Sequence, residues 1–287
     1  MPDTPLAPVW LITGCSSGLG RAMAEHALAC GQRVVATARQ PANISGLAAE
    51  HPGRCLVLPI DVTQPDQIAT AVNRTMEAFG QIDVLVNNAG YGLLGALEEL
   101  ADEQIRRNFE TNFFGALQMV RTTLPIMRTQ RRGHLVTISA AAVIANYPGF
   151  SIYGATKWAL EGAMESLAAE LRPFGIKSTI VRPGPFRTAF VGRSLENAAV
   201  RWDEYDATSG KFRRFLEKVD GAQPGDPSRA AAAIFNAVQA ERPPQRLTLG
   251  AYAIDKTRRQ ITATSRELEA WTEAGLSVDF PPATPSS

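Results

Sequence analysis

Tyr153 and Lys157 stand four residues apart in the run Tyr153-Gly154-Ala155-Thr156-Lys157. On a helix, positions i and i+4 share one face, so the Lys157 ammonium can lie beside the Tyr153 phenol. A nearby positive charge favours phenolate and lowers a tyrosine pKa from its usual ~10. A phenol tuned in this way can exchange a proton with a reacting alcohol or carbonyl near neutral pH. The pair alone also fits a solvated helix face, and its weight comes from a second motif far upstream. Thr13-Gly14-Cys15-Ser16-Ser17-Gly18-Leu19-Gly20 follows a short apolar run and opens a helical pattern. This is the context a dinucleotide site needs. Gly14 allows the tight turn, Gly18 lets backbone N–H groups approach a pyrophosphate, and Gly20 permits close helix–strand packing. The helix N-terminus adds partial positive charge for the anion. Ser16, Ser17 and Leu19 complete the turn and are read with it as cofactor-binding. The spacing is TGxxxGxG, rarer than the GxGxxG fingerprint.

The elements that must position these residues alternate. Val9-Trp10-Leu11-Ile12 is a buried strand that stops at Thr13-Gly14, and Gly18 to Cys30 is a helix ended by Gly31. Further strands are expected at Arg33 to Ala38, Cys55 to Ile60, Ile82 to Val86, Leu135 to Ile138, Ser178 to Val181 and Arg246 to Leu249. Helices are expected from Pro65, over Asp102 to Met127, and over Ser151 to Leu171. The fold class is therefore α/β: a Rossmann-type doubly wound parallel sheet of about seven strands with helices on both faces. Residues 1–250 read as one such domain, with an irregular segment at 185–225. Residues 251–287 read as an extension, a charged helix near Asp255 to Ala274 and then a frayed polar tail.

Composition narrows the function classes. The 287 residues carry 29 basic and 28 acidic side chains, which argues against a nucleic-acid binder held by phosphate contacts. No apolar run reaches the length of a membrane span, and Met1 to Pro8 has no basic region of a secretory signal. Cys15, Cys30 and Cys55 make neither a disulfide framework nor a metal-ligand pattern, so reduced thiols in the cytoplasm and no metal are expected.

With these residues in place, the chain resembles the short-chain dehydrogenase/reductase family over roughly residues 8–250. The resemblance rests on motifs in the family's order: the TGxxxGxG turn, Asp61-Val62, Asn88-Ala89-Gly90, Asn112, Tyr153-x-x-x-Lys157, and Pro183-Gly184 followed by Thr188. It implies that Tyr153 is the general acid/base and that Lys157 lowers its pKa and binds the nicotinamide ribose. It implies that Asn112 holds a water in a proton relay. Asp61 and Val62 would contact the adenine, and Asn88, Ala89 and Gly90 would lie along the adenosine side. Pro183, Gly184 and Thr188 would fix the nicotinamide carboxamide. A homodimer or homotetramer through the helices at Asp102–Met127 and Ser151–Leu171 is implied by analogy.

One departure stands out. The family's substrate-orienting serine lies thirteen residues before the tyrosine, and that count lands on Ala140. Ser139 is the neighbouring candidate for the role, although adjacent strand residues point to opposite faces. Tyr147 and Ser151 are alternative donors.

For the cofactor, NAD sites place an acid at the end of the second strand. Here Ala38 holds that place and Arg39 follows, which favours NADP(H) over NAD(H). The 185–225 segment carries Phe186, Phe190, Val191, Leu195, Trp202, Tyr205, Phe212 and Phe215, an apolar wall for a small-molecule substrate. Between Arg187 and Asp220 seven basic residues face six acidic ones, so nothing there selects an anion. The expected function is an NADP(H)-dependent oxidoreductase acting on a mainly apolar carbonyl or secondary alcohol. The alternative is a non-catalytic NADP(H)-binding sensor or scaffold on the same fold, and Ala140 is its support.

Overall fold

The computed structural model describes residues 7–280. The start of the chain and the tail from Pro281 to Ser287 lie outside the described residues. Nine strands occur among the described residues: β1 (Val9–Ile12), β2 (Arg33–Ala38), β3 (Cys55–Pro59), β4 (Val84–Asn87), β5 (Gly92–Leu94), β6 (Gly133–Ile138), β7 (Ile176–Pro183), β8 (Leu195–Asn197) and β9 (Arg246–Leu249). Seven form one parallel sheet in the order β3-β2-β1-β4-β6-β7-β9, and β5 pairs with β8 apart from it. The helices are α1 (Gly18–Ala29), α2 (Ser45–Glu50), α3 (Pro65–Phe79), α4 (Asp102–Phe109), α5 (Gly115–Gln130), α6 (Ser151–Leu171), α7 (Phe190–Arg193), α8 (Lys211–Val219), α9 (Pro227–Gln239) and α10 (Ala251–Leu276).

Strand β1 is apolar at every position because both faces of the sheet are covered. Successive side chains alternate between two cores: Val9 and Leu11 pack on one side, Trp10 and Ile12 on the other. Local signals set the helix ends. Pro65 occupies the first turn of α3, and Gly80 closes that helix at φ 71°. The Asp226 carboxylate caps α9 by accepting from the Ser228 and Arg229 N–H groups.

The expected fold class is the observed one. Strand order reverses beside β1, between β1 and β4, and this opens a crevice at the carboxyl ends of the strands. Three local expectations need correcting. The helix expected over Asp102–Met127 is broken by a π-turn at Glu110–Phe114, because Asn112 turns inward there to hydrogen-bond Tyr91 and Thr156. The irregular segment contains α7, β8 and α8. Strands β5 and β8 are three residues each, too short to show a period.

His134, on β6, is buried, with its Nε2 2.9 Å from Thr179 Oγ1. That hydroxyl already donates to the Pro244 carbonyl, so the ring Nε2–H is the donor to it. Burial pushes the imidazole down to about 4, with Lys177 adding to the effect. The unfolded chain takes up this proton below its ordinary value near 6.5 while the fold resists until about 4. Stability from this group is therefore lost as pH falls from 6.5 to 4, by roughly 3 kcal/mol at most. Melting temperatures measured across that range should fall, and His134→Gln should flatten the slope.

Candidate active site

The glycine-rich turn leads from β1 into α1. Gly14 and Gly18 sit at φ 72° and 61°, in the left-handed region that side chains resist. A Cβ on Gly20 would lie 2.4 Å from the Gly14 carbonyl oxygen, so this position admits only glycine. Asn88 holds the turn from β4 by donating its amide to the carbonyls of Thr13 and Gly14 at 2.8 and 3.1 Å. The Thr13 hydroxyl accepts from the N–H groups of Asn88 and Ala89. Ser17 opens α1 without a side-chain cap, which leaves the first-turn N–H groups to an anion. This donor set fits the pyrophosphate of a dinucleotide.

The turn borders a cavity of about 940 Å³ that runs along the ends of the strands. Gly14, Ser16, Ser17, Gly18, Leu19, Arg39, Asp61, Val62, Asn88, Ala89, Gly90, Ser139, Tyr153, Lys157, Pro183, Gly184 and Thr188 all line it. Gly20 lies behind the turn against Gly14, and Asn112 lies behind Gly90, where a Cβ would meet Asn112 Oδ1 at 2.8 Å. The Asn112 amide donates to the Tyr91 carbonyl and to Thr156 Oγ1, while Oδ1 accepts the Tyr91 N–H. Oδ1 therefore keeps one lone pair for a further donor. Elsewhere on the cavity wall, the Asp61 carboxylate accepts from the N–H and hydroxyl of Thr63.

Tyr153 and Lys157 are both buried on α6. Lys157 Nζ donates to the Ile138 carbonyl at 2.9 Å. Desolvation pushes the ammonium down to about 8, against the nearby Glu161 carboxylate, which raises it. Burial pushes the Tyr153 phenol up, with desolvation as the cause. The expectation of a phenol lowered by Lys157 is not met here, because the lysine turns to a backbone carbonyl and the ring sits in apolar surroundings.

Ser139 directly follows β6, with its hydroxyl donated to Glu161 Oε1 at 2.6 Å. Glu161 lies one turn beyond Lys157 on α6, and its carboxylate also binds Arg182 of β7 through Nε and Nη2, the latter at 2.5 Å. A hydroxyl has one proton to donate, and that of Ser139 is committed to this buried network. Ala140 takes the next position and packs with Phe150 and Tyr153.

The remaining wall is aromatic. Phe150 and Tyr153 meet edge to face at 5.0 Å, Tyr147 stacks on Phe212 at 4.8 Å, and Phe190 lies 6.0 Å from Tyr153. Phe186, Val191, Leu195 and Phe215 also line the cavity, whereas Trp202 and Tyr205 stack on each other instead. Tyr205 is drawn away by its hydrogen bond to Glu98.

Sequence reasoning missed several residues. Arg193 and Asn43 join Arg39, Ser16 and Ser17 in a polar niche beside the turn. Tyr252 of α10 lines the cavity, and its hydroxyl lies 2.7 Å from that of Tyr147. Lys256 Nζ sits 3.4 Å above the Tyr147 ring. Nothing local in the sequence marks Arg193 or Tyr252, since both reach the site only through the long-range path of the chain.

The class follows from a doubly wound sheet with a dinucleotide turn and a buried tyrosine–lysine pair at its crevice: an oxidoreductase site. The short chain dehydrogenase family model matches residues 8–199. The chain belongs to the short-chain dehydrogenase family, and it is an NAD(P)-dependent dehydrogenase or reductase. A short-chain dehydrogenase from Streptomyces avermitilis is 40% identical, with a TM-score of 0.90 over 96% of this chain and 100% of that one. A 3-ketodihydrosphingosine reductase from Bacteroides thetaiotaomicron is 35% identical over 84% of this chain and 87% of its own length. Human retinol dehydrogenase 8 is 36% identical over 82% of this chain and 79% of its own. A metagenomic short-chain oxidoreductase solved with NADP is 26% identical, with a TM-score of 0.67 over 86% of this chain and 98% of that one.

Proposed function

We propose that the protein is an NADP(H)-dependent oxidoreductase that moves hydride between the nicotinamide and a carbonyl or secondary alcohol of a mainly apolar substrate. The observation that carries this reading is the position of Tyr153. Its buried phenol lines the cavity where the cofactor crevice meets an aromatic wall. The nicotinamide, when bound, supplies or accepts the hydride. Tyr153 gives a proton to the forming alkoxide in reduction, or takes one from the alcohol in oxidation. Lys157 holds positive charge one helical turn away, and Asn112 anchors α6 through Thr156. Gly14, Ser16, Ser17, Gly18 and Leu19 cradle the pyrophosphate, with Gly20 packed behind them. Asp61, Val62, Asn88, Ala89 and Gly90 flank the adenosine, and Pro183, Gly184 and Thr188 border the nicotinamide.

Preference for NADP(H) rests on the niche formed by Arg39 and Arg193 with Ser16 and Ser17. Two guanidiniums and two hydroxyls match a 2′-phosphate and leave a 2′-hydroxyl poorly served. Arg39→Ala should weaken NADPH binding roughly 10- to 150-fold, the loss of a charge-assisted hydrogen bond. NADH binding should stay unchanged, as read by fluorescence titration with each cofactor. An equal loss for both cofactors would refute the assignment of Arg39 to the 2′-phosphate.

The substrate oxygen needs a second donor, because Ala140 has none and the Ser139 proton goes to Glu161. Tyr147 and Tyr252 take this role in our reading. Their hydroxyls share one hydrogen bond, so the hydroxyl that accepts keeps its own proton for the cavity. Tyr252→Phe should raise KM for ketones about 2- to 10-fold with the cofactor Kd unchanged. An unaltered KM would remove Tyr252 from the site. Two relatives are named for largely hydrocarbon substrates, a ketodihydrosphingosine and a retinol, which agrees with the aromatic wall. Phe114 and Trp158, half-exposed beside α5 and on α6, support association of copies through those helices.

A further inference from the structure

Helix α10 starts on the body and then leaves it. Ala253 is fully buried against Ala141, Val143 and Ile144, and Lys256 rests on Tyr147. From Arg258 to Leu276 every residue is exposed. Those 19 residues extend for roughly 28 Å at 1.5 Å per residue. A helix standing free of tertiary contact is marginal in water, because helices in proteins draw most of their stability from packing an apolar face. Such a face is present. Ile254, Ile261 and Leu268 recur every seven residues, and Trp271 follows Leu268 by three. Ile261, Leu268 and Trp271 are 64%, 69% and 70% exposed. This is the spacing of a coiled-coil seam, with Thr257 and Thr264 at the intervening positions.

The charges say what covers it. The first half of α10 carries Lys256, Arg258 and Arg259 against Asp255, and the second half carries Glu267, Glu269 and Glu273 against Arg266. The basic half thus lies at the N-terminus and the acidic half at the C-terminus. That order opposes the helix macrodipole, which favours anions at the N-terminus and cations at the C-terminus. Glu269 and Glu273 also repel each other at i,i+4. The arrangement is unfavourable in an isolated helix and is relieved by a second copy laid antiparallel, which sets each basic half against an acidic half. We propose that α10 pairs antiparallel with α10 of a second copy of this chain, along the seam of Ile261, Leu268 and Trp271. An anionic membrane fits less well, because the largest apolar groups, Leu268 and Trp271, stand among the carboxylates.

The test is sedimentation of the full chain at low salt, with three variants. Ile261→Glu with Leu268→Glu puts charge into the seam at exposed positions, far from the active site. It should raise the dissociation constant of one association step at least tenfold. Reversing the acidic half (Glu267→Lys, Glu269→Lys, Glu273→Lys) should weaken the same step about tenfold, and less at high salt. Adding Arg258→Glu and Arg259→Glu to that reversal should restore it. A parallel pairing would be indifferent to the single reversal, so an unchanged constant there overturns the orientation. Identical sedimentation of wild type and the seam variant overturns the pairing itself. Flotation of the wild type with phosphatidylserine vesicles, lost in the seam variant, would assign the face to a membrane and overturn the proposal as well.

Discussion

Tyr153→Phe should lower kcat by about 10²- to 10⁴-fold while leaving NADPH affinity within about twofold, because it removes the proton donor and nothing else. The ring stays packed on Phe150 and Phe190. The phenol is pushed up by burial, so in the free protein it stays protonated and holds the proton that reduction would use. Single-turnover reduction rates and fluorescence titration on the same preparation separate chemistry from binding. A variant that turns over at near wild-type rate would transfer the acid role to another group, and Tyr147 would be the first to test.

Arg182→Met should destabilise the fold by about 3–5 kcal/mol, because it strands the Glu161 carboxylate in the interior. Glu161 is 5% exposed at its side chain and is held by Arg182 and Ser139 together. For a chain of this size, that loss lowers the melting temperature by roughly 10 °C. Glu161→Leu combined with Arg182→Met should recover most of it, since a paired buried charge and an apolar pair of similar volume are close in free energy. Thermal melts of the wild type, both single variants and the double variant form the cycle. A loss under 1 kcal/mol in Arg182→Met would mean that water reaches Glu161. The network ties β6, β7 and α6 together directly behind Tyr153 and Lys157, so catalytic loss without unfolding is expected in milder variants.

The alternation of apolar runs and helical periods makes the sheet readable in the sequence, because a strand covered on both faces must be apolar throughout, as Val9–Ile12 is. The glycine turn was readable for a similar reason, since backbone geometry there tolerates few residues. Ser139 was not. Its hydroxyl is claimed by Glu161, twenty-two residues away, and Glu161 reads from sequence as one more polar position on a helix. The pKa shift of Tyr153 escaped for the same cause. The i,i+4 rule places Lys157 on the right face, yet the Ile138 carbonyl captures its ammonium. Arg193 and Tyr252 come from segments with no periodic signature pointing at the site, and only the path of the chain brings them there. The free length of α10 was equally hidden, because its seam looks like any core-facing stripe until its surroundings are seen.

Hydride transfer from NADPH to an apolar carbonyl is what the site is proposed to carry out. The direct measurement is NADPH oxidation by the purified protein, followed by absorbance against a panel of apolar ketones and aldehydes, with NADH and Tyr153→Phe alongside. Alcohol should form in equal amount to NADPH consumed, with slower turnover with NADH and turnover about 10²- to 10⁴-fold slower in Tyr153→Phe. Tight NADPH binding with no carbonyl reduced by the wild type, and no alcohol oxidised with NADP in the reverse assay, would contradict it and favour a dinucleotide-binding sensor on this fold.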